Sequence, residues 1–197
     1  MVKQKKLRID PLKPESEEPI TLKPMRLKFL FLLLLSVGPL LLQAQQGSKL
    51  TLKQGDHIAL VGNALPDRFQ HSGWLETLVH ARFPDYQLVF RNLAAAGDEV
   101  VTRHRSENFG TPDDWLKRAQ ADVIWAFFGF NESFQGEAGL PKFKQDLDKY
   151  LKETLAKNYS DRGTVRIVLF SPIANEQHVD PSFPDPAVNN ANLQRYY

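Results

Sequence analysis

Cysteine is absent from this chain of 197 residues. That excludes a disulfide framework, thiolate metal sites, a cysteine nucleophile and lipid attachment through sulfur. An excess of charge is missing as well: 25 Lys and Arg against 23 Asp and Glu leave a formal charge of +2, too small for the basic footprint that nucleic-acid binding needs. Nucleic acid is therefore not an expected partner. Histidine is sparse, and the five present form no metal-ligand pattern such as His-Glu-x-x-His. No metal and no cofactor is expected. Repeats at solenoid periods are also lacking. What is present is 42% hydrophobic and 11% aromatic residues, the composition of a chain that builds one ordinary globular core.

The N-terminus differs in character from the rest. Residues 1–24 carry Lys3, Lys5, Lys6 and Arg8 among prolines with little apolar periodicity, the pattern of a disordered or mis-called N-terminal extension. From Met25, Arg26 and Lys28 precede an apolar run from Phe29 to Leu42, broken by Gly38 and Pro39 and followed by Ala44. A cationic start, a short apolar stretch and a small residue at the cut predict a signal peptide over 25–44. The expectation is export to the periplasm or the exterior, with no permanent membrane span after cleavage and an anchored protein if uncleaved. Residues 45–197 form the expected domain.

Within that domain strand and helix signals alternate. His57 to Val61, Gln87 to Phe90, Val123 to Phe128 and Arg166 to Phe170 read as buried strands. Between them, Leu75, Leu78, Val79 and Phe83 mark one helix, and Phe143, Leu147, Tyr150, Leu151 and Leu155 mark another. Thr111-Pro112-Asp113-Asp114 reads as a helix start, with a cap, a proline at the first position and acids in the first turn. Ser72 reads as the cap of the first helix. Strand-then-helix order with right-handed crossovers gives a three-layer α/β/α domain on a parallel sheet, whose ligand site lies at the carboxyl ends of the strands.

Three strand-end loops therefore carry the functional reading: Gly62-Asn63-Ala64-Leu65, Asn92 to Asp98, and Gly129-Phe130-Asn131-Glu132. Gly97 and Asn131 can supply a backbone N–H and a side-chain amide, the two donors an oxyanion hole requires. In order and spacing these blocks resemble the SGNH, or GDSL, hydrolases, whose blocks run Gly-Asp-Ser-Leu, a glycine after the second strand, Gly-x-Asn-Asp, and Asp-x-x-His. The resemblance covers roughly Gly55 onward. It implies a flavodoxin-like strand order, Gly97 and Asn131 as oxyanion-hole positions, and Asn63, Phe130 and Glu132 as ligand-binding residues.

The chain departs from that pattern where covalent chemistry is concentrated. Ala64 occupies the nucleophile position, and a methyl group neither attacks a carbonyl nor forms an acyl-enzyme. No Asp-x-x-His occurs; Asn175-Glu176-Gln177-His178 imitates its spacing but directly follows the fourth strand, where an extended rim or lid loop is expected. The domain is expected to be C-terminally truncated, lacking the family's last strand and helix. The reading is an esterase-like domain, catalytically silent in this form, that keeps a pocket for a small acyl or sugar ester. The alternatives are an active ester hydrolase acting on carbohydrate or lipid esters with another nucleophile, such as Ser72, and residues beyond this fragment, or an interaction module joined to other domains of a longer exported chain.

Overall fold

The strands β1 (His57–Gly62) and β3 (Val123–Phe127) are apolar along nearly their whole length and buried along it, as central strands covered on both faces must be. In the computed structural model, which describes residues 49–103, 108–183 and 185–197, they are flanked by β2 (Val89–Asn92) and β4 (Arg166–Phe170). All pairings are parallel and the order is β2-β1-β3-β4, the flavodoxin-like arrangement read from the sequence. The unit holding this sheet runs from Leu50 to Tyr197. The expected 1–24 extension and 25–44 signal peptide lie outside the described residues. Among the described residues no helix is long and apolar enough to cross a membrane.

Period-two alternation sorts the strand side chains into two cores. Ile58, Leu60, Val123, Trp125 and Phe127 face one way, where Leu65, Phe69, Leu75 and Val79 cover them. These come from helix α1 (Ala64–Arg68), the turn after it, and α2 (Trp74–Arg82). Ala59, Val61, Ile124 and Ala126 face the other way, against Leu116, Phe143, Leu147 and Tyr150. Those belong to α3 (Pro112–Arg118) and α4 (Gly136–Leu155). The α3 start is the one read from the sequence: Thr111 caps it, Pro112 opens it, and Thr111 and Asp114 close a reciprocal capping box. A last helix, α5 (Pro186–Leu193), packs beside the start of α4.

Four local expectations shift. β2 begins two residues late because Gln87 takes a left-handed φ of 51° after a turn at Pro84–Tyr86, and an extended strand cannot start on that backbone. Ser72 does not cap α2; Gly73 holds the cap position without a side-chain bond. Leu78 is 65% exposed, since the packed stripe is centred between Leu75 and Val79 and Leu78 lies about 80° round from it at 100° per residue. On α4, Thr154 takes the buried place after Phe143, Leu147 and Tyr150, and Leu155 turns outward.

The amino ends of the strands are tied by charge. Asp56 and Asp122 are buried just before β1 and β3. Asp56 accepts from the Lys53 N–H at 2.6 Å and pairs with Arg166 at 2.5 Å, while Asp122 accepts from the His57 N–H at 2.8 Å and pairs with Arg162. At the opposite, carboxyl ends the strands run out into loops.

Candidate functional site

β1 stops at Gly62, where φ is +122° and an added Cβ would lie 2.1 Å from the Phe127 carbonyl oxygen. Only glycine lets the ends of β1 and β3 approach this closely. The next N–H, that of Asn63, donates to the same Phe127 oxygen at 3.2 Å. Asn63 is buried, and its Oδ1 accepts from the Leu65 N–H at 3.2 Å, capping α1. Ala64 is therefore the first residue of α1, presented by a turn that the backbone and the asparagine side chain hold in place.

Above this turn a cleft of about 470 Å³ opens over the carboxyl ends of β1, β3 and β4, the position where parallel α/β sheets bind ligands. One wall is Asn63, Ala64, Leu65 and Arg68; the floor is Phe127, Phe128, Phe130 and Phe170; the far wall is the 171–178 segment. Phe127 and Phe170 stack with centroids 4.3 Å apart, and Phe130 meets Phe134 edge-on at 5.7 Å. The cleft is aromatic below and polar at its edge, the usual constitution of a small-molecule site.

Of the residues singled out from the sequence, Asn63, Ala64 and Phe130 border this cleft. Gly97, Asn131 and Glu132 are not among its walls and cluster in the neighbouring loops. Gly97 is exposed with φ +91° and open space where a Cβ would stand, so backbone conformation rather than crowding asks for glycine there. Asn131 Nδ2 donates to the Asp98 carbonyl at 2.9 Å, and a second amide proton remains for another acceptor. Glu132 is buried and works as a strut: one carboxylate oxygen accepts from the Val100 N–H and the other from the Gly129 N–H, both at 2.9 Å. Burial, only partly offset by these bonds, pushes its carboxyl above the ordinary range. Glu132 borders a smaller cavity of about 220 Å³ with Val100, Gln135 and Lys142. Arg103 lies over the Phe128 ring at 4.6 Å and reaches Asp98 at 3.8 Å, packing the second loop against the end of β3.

Arg68 escapes the sequence reading; its signal is its place four residues after Ala64, on the same face of α1. Glu176 and His178 enter the far wall from the loop after β4, where the sequence places an extended rim. His178 stacks on Phe183 at 4.2 Å, and its Nδ1 accepts from the Asp180 N–H at 3.2 Å, so a neutral ring carries its proton on Nε2. Among the described residues Ser171 is the single hydroxyl of the cleft walls, and it bonds neither His178 nor Glu176. Ser72 is exposed and no part of the cleft walls.

No family model matches this sequence, and no curated protein does. Among solved structures it is similar to BT4096, described as a gut microbial diltiazem-metabolizing enzyme, at 17% identity and a TM-score of 0.56, over 74% of this chain and 34% of that one. The chain thus spans about a third of that protein's length. It is also similar to a protein from Parabacteroides merdae ATCC 43184 described as a GDSL-like lipase, at 17% identity and a TM-score of 0.50, over 76% of each chain. The likeness is one of fold: a layered, parallel α/β sheet, as in these two structures.

Proposed function

We propose that this chain is a hydrolase-fold domain that binds a small acyl- or sugar-ester-like molecule at its strand ends, does not turn it over through an acyl-enzyme, and works after export through residues 25–44. The observation that carries the reading is Ala64 at the head of α1 and on the cleft wall. Loss of the nucleophile in a serine hydrolase removes on the order of 10⁶ in kcat, and Gly97 and Asn131, the expected hole positions, do not border this cleft. Binding is what such a cleft retains. In this reading Asn63 and Phe130 border the ligand, while Gly97, Asn131 and Glu132 hold the loops beside the cleft. The GDSL-like lipase description of one similar structure fits an ancestry in ester chemistry.

The test compares wild type, Ala64→Ser and Asn131→Ala on aryl acetates, with ligand binding followed by thermal shift. Wild type is expected to hydrolyse no faster than buffer yet to be stabilised by acyl ligands. Turnover by wild type that disappears in Asn131→Ala would defeat the reading and favour an active hydrolase with a different nucleophile. N-terminal sequencing of the secreted product checks the export component.

A further inference from the structure

Among the described arginines, Arg68 stands apart in having no partner. Arg103, Arg162, Arg166 and Arg195 each meet a carboxylate. Arg82 and Arg118 lie over aromatic rings, and Arg91 donates to the Phe90 carbonyl. Arg68, in the last turn of α1, has no hydrogen bond, ion pair or ring contact among the described residues, and it borders the aromatic cleft. Among the described residues the single carboxylate of the cleft, Glu176, sits on the far wall and does not pair with it.

We propose that the strand-end cleft takes a carboxylic acid with an aromatic or branched apolar body, its carboxylate seated on the Arg68 guanidinium. This rests on the binding reading above and specifies the ligand's charge. A guanidinium offers two parallel N–H donors that match the two oxygens of a carboxylate. An ester presents no such charge, so an uncompensated cation beside apolar walls selects the acid over its ester. The stacked Phe127 and Phe170 rings accept a flat or branched body through dispersion and edge-to-face contacts. Glu176 sets the polarity of the site: it repels a carboxylate from the far wall and so leaves the Arg68 end as the place for the acid head. The cleft's volume of about 470 Å³ lies within the ~300–1,000 Å³ range of small-molecule sites.

Calorimetric titration of 3-phenylpropanoate, its methyl ester and 3-phenylpropan-1-amine into wild type, Arg68→Gln and Glu176→Gln tests this. Arg68 and Glu176 are exposed, so both variants are expected to fold, which circular dichroism checks. At low salt the acid is expected to bind about threefold to tenfold more tightly than the ester, the range of a partly exposed charge-assisted pair. Arg68→Gln is expected to remove that preference and leave ester binding unchanged; Glu176→Gln is expected to tighten the acid about twofold. Equal affinity of acid and ester in wild type, or an acid preference that survives Arg68→Gln, overturns the inference while the binding reading stands. Failure of all three probes to bind overturns both. Hydrolysis of the methyl ester by wild type defeats only the non-hydrolytic reading, and acid binding then still decides the role of Arg68.

Discussion

Glu132→Gln and Glu132→Ala test the strut that joins the second and third strand-end loops. In wild type the two carboxylate oxygens each take one buried backbone donor, Val100 N–H and Gly129 N–H, at 2.9 Å. Glutamine keeps one acceptor and turns an amide N–H₂ toward the other donor, which leaves one buried N–H unsatisfied at about 1–3 kcal/mol. Alanine leaves both unsatisfied, for about 2–5 kcal/mol once relief from burying a carboxylate is set against it. Equilibrium urea denaturation should therefore rank the proteins wild type, Glu132→Gln, Glu132→Ala. The pH dependence adds an independent signature. Burial holds the folded-state pKa of Glu132 above its unfolded value, so its contribution is fully present below pH ~4.5 and declines as pH rises through the folded-state value. The deficit of Glu132→Gln relative to wild type is accordingly widest at the acid end and narrows toward neutrality. Variants that both unfold within ~0.5 kcal/mol of wild type, or a deficit that widens with rising pH, would refute the strut.

Gly62→Ala should abolish folding, because its Cβ would sit 2.1 Å from the Phe127 oxygen on a backbone with φ +122°; a soluble variant with the wild-type circular dichroism spectrum contradicts this. Asp56→Ala should cost about 2–4 kcal/mol in urea denaturation, since it strands the Arg166 guanidinium and the Lys53 N–H at the amino end of the sheet, somewhat less than a fully buried pair because Arg166 is part-exposed. β4 pairs only with β3 among the described residues, and Leu169 and Ile173 are exposed beside its open edge. Concentration-dependent self-association is expected and should weaken in Leu169→Lys, whereas monodisperse wild-type monomer in light scattering at high concentration would count against it.

The sheet was legible because its signals are local and redundant. Val123 to Phe127 is apolar on both faces, and few structures other than a central parallel strand require that. Thr111, Pro112 and Asp114 likewise specify a helix start through backbone chemistry contained within four residues. The start of β2 was less accessible, because it depends on a left-handed Gln87 that no propensity favours. The cleft was legible only in part. Ala64, Asn63 and Phe130 lie next to strand ends and could be placed from the strands, but Arg68, Glu176 and His178 arrive from two elements far apart in sequence and meet only through the fold. Glu132 presented the opposite difficulty. An acid after a strand-end asparagine reads as a ligand group, and its commitment to two backbone donors depends on how closely the second loop folds against the third.

Scaffold and chemistry separate cleanly in this molecule, and the separation explains how a cleft persists beside an alanine. The turn that presents residue 64 is built from the Gly62 contact with Phe127, the Asn63 N–H on the same carbonyl and the Asn63 side chain on Leu65. None of these interactions uses the side chain at position 64. Replacing a hydroxyl there by a methyl group removes a nucleophile without loosening the turn, the aromatic floor or the ion pairs at the far end of the sheet. The reverse change carries equally little chemistry by itself. A serine at position 64 becomes a useful nucleophile only with a base in hydrogen-bond reach, and the titratable groups of the far wall, Glu176 and His178, belong to an exposed loop on the other side of the cleft. Ala64→Ser should thus leave aryl acetate turnover at the background level, because a hydroxyl at the head of α1 still lacks the base that would activate it, and the turn supplies none.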